Sequence, residues 1–389
     1  MKEVLLKNYI LAIESGTRGK GGATAFGVPS LGAEHLNADG TISWDKNKMK
    51  YIPVELFKNL KSGIVHNNDV LIVKDGATTG KVAYVEKIPY SNVAINEHVF
   101  LLRPKSEILP KYLFYYLMSA NGNKKIMSNF RGATVGGIGK NFIEMPINLI
   151  SIDVQQHVVN VLDKISHIIT LRKKQLKNFD ELVKSRFIEM FGDVNVNSKK
   201  WALLPLGELC KIVRGASPRP IEKFLGGTVP WIKIGDATEN DDIFLTSTKE
   251  HIIQDGILKS RLVKANSLIF ANCGVSLGFA RIITFNGCIH DGWLALEDID
   301  SRLNKIFLLQ SLNQMTEYFR KLAPAGTQPN LNTSIMKTYK QIVPPLQLQK
   351  EFVSFLEQTN KSKFVNYKCL QTVANIYRQE WMRCQTSNF

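Results

Sequence analysis

The chain has 389 residues, 44% apolar and 22% charged. That is longer than one domain and ordinary for a globular protein, which excludes a disordered chain or a disulfide-dense mini-protein. Fifty Lys and Arg against 34 Asp and Glu leave a formal charge of +16, which points to a polyanionic partner, nucleic acid before any other. The five cysteines form no CxxC pair, and the seven histidines never pair at three- to five-residue spacing. No metal site is therefore expected, and scattered thiols suit a reducing, cytoplasmic setting. Lys7, Asn8 and Glu14 interrupt the apolar N-terminal run, and no stretch nears 18 apolar residues. Neither a signal peptide nor a membrane span is expected.

In chain order, the first loop of interest is 15–22, where Arg18 and Lys20 stand among glycines that permit close backbone approach. Apolar, β-rich runs at 70–73, 82–85 and 99–102 read as strands bounded by Gly, Asn and Asp. Gly76 and Gly80 read as turn glycines; the stretch GATTGK is one residue short of a P-loop and is followed by Val82. Residues 112–119 read as a helix, and the loop 132–141 offers Lys140 and Asn141. From 154 to 190 there is no Gly or Pro. Val158, Leu162, Ile165, Ile169, Arg172, Leu176, Phe179 and Val183 step by four and three, a coiled-coil seam with one Arg in it. Asp153 is the expected N-cap and Gly192 the expected stop.

The pattern then returns. Ile13-Glu14-Ser15-Gly16 corresponds to Ile212-Val213-Arg214-Gly215, and Val28-Pro29 to Val229-Pro230. DVLIVKDGATTGKVAYV (69–85) lies on SLIFANCGVSLGFARII (267–283), with both glycines 198 residues apart. Gly132, Gln155 and Leu162 match Gly326, Gln349 and Leu356, each 194 residues on. A period of half the chain means two whole domains, not a solenoid. Strands are expected at 267–270 and 280–284, a helix at 305–319 and a second long helix at 347–383. Its seam is Val353, Leu356, Asn360, Lys363, Tyr367, Leu370, Ala374, Tyr377 and Trp381. The two long helices, at equivalent places and each over ~50 Å, are expected to pack together.

The second half offers Arg214 and Arg219 in one loop and Gln328, Asn330 and Asn332 in another. Arg, Lys, Asn and Gln on loops suit base edges and phosphates, though a solvated side chain is the plainer alternative for each. Trp44 and Trp231 read as core rather than base-stacking residues. Catalytic signatures are missing. The sole Pro-Pro, Pro344-Pro345, is preceded by Val343 rather than the Asn or Asp of an adenine methyltransferase, and no acidic residue has Lys two positions on, as a restriction-type nuclease core does. A binder is expected rather than an enzyme.

These residues resemble the specificity subunit of type I restriction–modification enzymes. In the first half ESGTRGKGG…GVPSLGAEHL…GTI, DVLIVKDGATTGKVAYV and NEHVFLLRP carry the likeness. In the second, W…LPLGELCKIVRGASPRP…VPWIKIGDATE and GTQPNLNTSIMKTYKQIVPPLQLQKEFV do so, with LVKSRFIEMFGD ending the central helix. The family's Pro-Pro-Leu-x-x-Gln helix entrance is intact at 344–349, but in the first half only Gln155 remains.

The resemblance implies an α+β fold. Two tandem, mixed α/β target recognition domains (1–150 and 200–345) would alternate with a central helical region (151–199) and a C-terminal one (346–389). The two long helices would form an antiparallel, coiled-coil-like pair, and the duplication a pseudo-twofold arrangement. It implies a non-catalytic, cytoplasmic chain that binds a bipartite, asymmetric double-stranded DNA site. Methyltransferase (M) and restriction (R) subunits would dock on it, and S-adenosylmethionine, ATP and Mg²⁺ would bind those partners. The DNA-binding set would be Arg18, Lys20, Lys140, Asn141, Arg214, Arg219, Gln328, Asn330 and Asn332. The helix pair and subunit contacts would use Val158, Leu162, Ile165, Ile169, Leu176, Phe179, Val183, Val353, Leu356, Tyr367, Leu370 and Tyr377. The rival is a non-catalytic RNA or single-stranded DNA binder, which calls for aromatic–basic stacking platforms that the sequence does not display.

Overall fold

The computed structural model describes residues 2–19, 21–132, 136–238, 243–274, 276–323 and 330–386. The chain divides into two compact units, Met1–Arg172 with Cys369–Phe389, and Lys173–Lys368. The cut therefore passes through both long helices and does not set them apart from the sheets.

In the first unit, strands Ile10–Ser15, Val99–Pro104, Val70–Val73 and Val82–Tyr84 form a four-stranded antiparallel sheet in that order. Val70–Val73 reads as an unbroken apolar run because it is buried on both faces. Successive side chains point to opposite sides of a strand. Val70 and Ile72 accordingly enter one core, with helix Pro110–Met118, and Leu71 and Val73 enter another, with Leu31, Leu36 and Ile95.

The second unit repeats this. Lys211–Arg214, Trp293–Glu297, Leu268–Ala271 and Ala280–Ile283 take the same order, and Phe244–Leu245 adds a fifth, parallel strand. Leu268 and Phe270 face one core, Ile269 and Ala271 the other. The turn glycines agree as well. Gly80 (φ +83°) donates to the Val73 carbonyl and Gly278 (φ +98°) to that of Ala271. A Cβ on Gly80 would lie 2.8 Å from the Met127 sulfur, and one on Gly278 3.0 Å from the Thr316 carbonyl oxygen.

The expected helix at 305–319 is two, Lys305–Gln314 and Thr316–Leu322. At the join Met315 N donates to the Leu312 carbonyl, and two neighbouring side chains tie the break to the sheet and its turn. Asn313 Oδ1 accepts from Ala280 N, and Thr316 Oγ1 donates to the Gly278 carbonyl. The helix at 112–119 likewise runs Pro110–Met118 before Ser119 caps Ala120–Met127.

The central helix runs Ile152–Phe191, 40 residues, and the C-terminal helix Leu346–Thr386, 41 residues. Asp153 lies inside the first turn instead of capping it; a carboxylate there still favours the helix dipole. Gly192 (φ +80°) ends the helix, donating to the Ile188 carbonyl. In the first unit Val158 and Leu162 are buried in the core beneath helix Pro110–Met118, and the Tyr377 ring meets Tyr115 edge-on at 6.4 Å. In the second, Phe187 and Phe191 stand edge-on to Phe352 at 5.3 and 5.6 Å, with Val353 and Leu356 buried in the same core. Lys363 pairs with Asp180 at 2.5 Å, so the segments 180–191 and 352–363 run antiparallel.

Ile165, Ile169, Leu176, Phe179, Val183 and Leu370 are each half-buried. Tyr367 departs from its expected place: it is 50% exposed, and Asn366 is buried instead. From Lys363 a step of three and a step of four fall on either side of the seam, and the helix takes the shorter. No described helix is long and apolar enough to cross a membrane.

Candidate nucleic-acid interface

In the second domain, the loop after strand Lys211–Arg214 is pressed against residues 290–292. Gly215 donates to the Trp293 carbonyl at 2.9 Å, and a Cβ on Gly215 would sit 2.2 Å from the His290 carbonyl oxygen. Only glycine fits so close an approach. The loop then folds over Asp291. The Asp291 carboxylate accepts from Ser217 Oγ at 2.7 Å, meets His290 Nε2 at 2.9 Å and pairs with Arg219 at 3.5 Å. The Asp291 carbonyl accepts from Arg214 Nε at 3.1 Å. Arg214 and Arg219, separate candidates in the sequence, thus meet at one residue.

Burial pushes the Asp291 carboxyl up, but the Ser217 hydrogen bond and the nearby His290 and Arg219 charges outweigh it, leaving the group below its usual value. Burial lowers His290. Asp291 opposes this, but the Lys233, Arg219 and Arg214 charges add to the lowering. Arg219 itself is 79% exposed. Beside it lies a cavity of about 490 Å³ bordered by Pro218, Ile221, Trp231 and His290. Trp231 is 4% exposed and belongs to the core, as expected.

The first domain repeats the arrangement with other residues. A Cβ on Gly16 would lie 2.1 Å from the Ile95 carbonyl oxygen. Arg18, 76% exposed, pairs with Glu97 at 3.6 Å. Glu97 precedes Asp291 by 194 residues, so the two acids are equivalent. His98 joins Glu97 at 3.5 Å and Asp75 at 2.5 Å.

The other candidates divide. Lys140 Nζ donates to the Ile13 carbonyl at 3.1 Å, which holds its loop against the first strand, and Asn141 is exposed next to it. Asn330 Oδ1 accepts from Asn272 Nδ2 at 3.0 Å, bracing the end of strand Leu268–Ala271. Asn332 Oδ1 accepts from Ile335 N and caps helix Thr333–Thr338. Both asparagines thus have scaffold tasks. Lys20 and Gln328 lie outside the described residues. Sequence reasoning passed over Glu97 and Asp291 because it sought cations. The available signal was an acid at one position of both halves, in NEHVF and HDGWL.

A protein-family model described as "Type I restriction modification DNA specificity domain" matches residues 30–179 and again 198–368. The chain belongs to this family. Each specificity-domain match takes in most of one sheet-bearing domain and much of the helix that follows it, in agreement with the duplication. A putative type I restriction enzyme specificity subunit of Haemophilus influenzae is 21% identical over 326 residues, covering 76% of each chain. The type I restriction enzyme MjaVIII specificity subunit of Methanocaldococcus jannaschii is 24% identical over 402 residues, covering 93% of this chain and 87% of that one. A chain from a structural study of complex assembly and conformational transition of the type I restriction–modification system shares the fold. Its TM-score is 0.63 at 16% identity, over 100% of this chain and 98% of that one.

Proposed function

We propose that this specificity-family member reads a bipartite, asymmetric double-stranded DNA site, one half through each domain, and has no catalytic activity of its own. The observation that carries the reading is the pair of equivalent corners. In each domain an exposed loop arginine leaves a tightly placed glycine and meets a carboxylate at the same position of the fold. Arginine is the commonest reader of guanine edges, and the +16 charge suits the phosphates around them. The loops share a frame and differ in sequence, as two half-sites of different bases require.

Membership of the specificity family supports docking of methyltransferase and restriction subunits, for which the long helices would be the platform. S-adenosylmethionine, ATP and Mg²⁺ would bind on those partners, and the complex would act in the cytoplasm. Missing methyltransferase, P-loop and nuclease motifs in the sequence favour a reader over a catalyst. The test is methylome sequencing of cells expressing this chain with its methyltransferase subunit, beside titrations of the purified chain with duplex DNA, single-stranded DNA and RNA. One split methylated motif and a preference for the duplex are expected. Tighter binding to RNA, or methyl transfer by the purified chain alone, would overturn the reading.

A further inference from the structure

Two arginines with three-quarters of their side chains in solvent stand beside acids of the same position in both domains. A free arginine loses rotamer entropy when it is ordered, and a phosphate contact carries no sequence information. The acids are placed to prevent both. Asp291 is itself fixed by Ser217 Oγ and His290 Nε2, and Glu97 stands against His98. At 3.5 and 3.6 Å the ion pairs are longer than the ~2.7–2.9 Å of a charge-assisted hydrogen bond. The guanidinium is therefore steered without being consumed, and its remaining donors stay open to a base edge. The carboxylate also repels any phosphate that approaches the same fork.

The arrangement is kept while its parts change. Arg18 follows its glycine by two residues and Arg219 by four, and the acid is Glu in one domain and Asp in the other. Arg18 approaches its acid through Nε and Arg219 through Nη2, so what the two domains share is the pairing itself.

We propose that Glu97 and Asp291 are specificity-determining positioning residues, each holding its loop arginine for a base edge and away from phosphate. This rests on the DNA-reading function above and adds the device that makes the reading selective. Each acid governs one position of one half-site.

The test uses the full chain with its methyltransferase subunit. Asp291→Asn keeps the size and an acceptor for Ser217 while removing the charge; Glu97→Gln does the same in the other domain. The methylome of wild type supplies the cognate duplex, and a scrambled duplex of equal length is the comparison. For Asp291→Asn, binding to the scrambled duplex should tighten several-fold, and the cognate-to-scrambled ratio should fall about tenfold. The methylome should become degenerate at one base of one half-site. Glu97→Gln should relax the other half-site. In an Arg219→Ala background Asp291→Asn should have no further effect on the ratio, a coupling that simple loss of packing would not produce. Melting temperature is followed throughout. An unchanged ratio in both charge-removed variants, or equal weakening toward both duplexes, would overturn the proposal. Failure of the DNA-reading function itself would show separately, as a wild-type complex with no defined methylated motif. Should Asp291→Asn not fold, Glu97→Gln decides alone.

Discussion

Gln155 and Gln349, 194 residues apart and both fully buried, make the same three hydrogen bonds. Gln155 Oε1 accepts from Leu109 N at 2.8 Å, and its Nε2 donates to the carbonyls of Glu107 and Ile150 at 2.9 Å. Gln349 Oε1 accepts from Asn304 N at 2.8 Å, and its Nε2 donates to the carbonyls of Arg302 and Pro344 at 2.9 and 2.8 Å. Each amide pins the first turn of a long helix to the start of a domain helix and to the residue that follows strand Pro146–Leu149 in one domain and Lys340–Val343 in the other. The glutamine is also the one residue of the Pro-Pro-Leu-x-x-Gln entrance that both halves share. In each case the amide satisfies three backbone groups in partly buried surroundings. Gln155→Ala or Gln349→Ala would leave them unpaired, at about 1–3 kcal/mol for a fully buried group. Because the freed groups are partly reached by water, a loss of about 1–3 kcal/mol in total is expected in urea denaturation. Gln156→Ala, exposed next door, should change stability by less than about 0.5 kcal/mol.

DNA binding should weaken steeply with salt, since each neutralised phosphate contributes about −0.9 to the log–log slope. Arg18→Ala and Arg219→Ala should lower cognate affinity by about 1–3 kcal/mol and relax one base each. If either arginine instead contacts phosphate, its loss will weaken all duplexes alike and flatten the salt slope by about one unit. Binding that is insensitive to both substitutions would place these loops away from the DNA.

Specificity should be modular. Replacing residues 1–150 with the same domain of another family member should change one half-site and leave the other. Methylome sequencing reads both halves at once, and a change in both would refute independent reading.

The central helix is expected to set the gap between the half-sites. Four helix-forming residues inserted after Lys177, apolar at the seam positions, add ~6 Å and nearly one turn, so the seam stays in phase. At ~3.4 Å per base pair, the gap should lengthen by one or two base pairs with the half-site bases unchanged. Two inserted residues turn Leu176 and Phe179 out of register with each other and should abolish assembly.

Alkali should loosen the fold. Burial pushes the Cys210 thiol up to about 12, and burial together with the Asp163 charge pushes Tyr377 up to about 12. Both folded values lie above the ordinary 9.0 and 10.0. Their contribution to stability is therefore whole below pH 9 and is lost progressively as the pH rises toward 12. Urea midpoints should hold from pH 7 to 8.5 and then fall. Cys210→Ala should fall less steeply; identical slopes would show that the thiol is not the group responsible.

The sheets were legible because their strands are buried on both faces and bounded by glycines that recur at fixed spacing, as at Gly80 and Gly278. Helix length was legible from the absence of Gly and Pro. Less accessible was anything decided by a polar side chain's choice of partner. Asn313 and Thr316 break a helix that propensity would continue, and Asn330 and Asn332 spend their amides on the scaffold. Asn366 is a separate case: it is buried although neither amide atom has a hydrogen-bond partner among the described residues, while the aromatic Tyr367, which fits the same heptad, stays half exposed. Glu97 and Asp291 escaped notice because charge counting looks for the cation that touches DNA and overlooks the anion beside it.

The two units are unequal in one respect. Lys173–Lys368 is a single continuous stretch, whereas the other unit joins Met1–Arg172 to Cys369–Phe389. A ribosome therefore finishes the second unit before the first can be completed, although domains ordinarily fold in the order of their synthesis. Until the last turns emerge, Tyr115 lacks the Tyr377 ring that packs against it. A chain broken off near residue 368 would keep its second unit whole and leave the first unfinished, so residues made before 173 wait on residues made after 368 for their final surroundings.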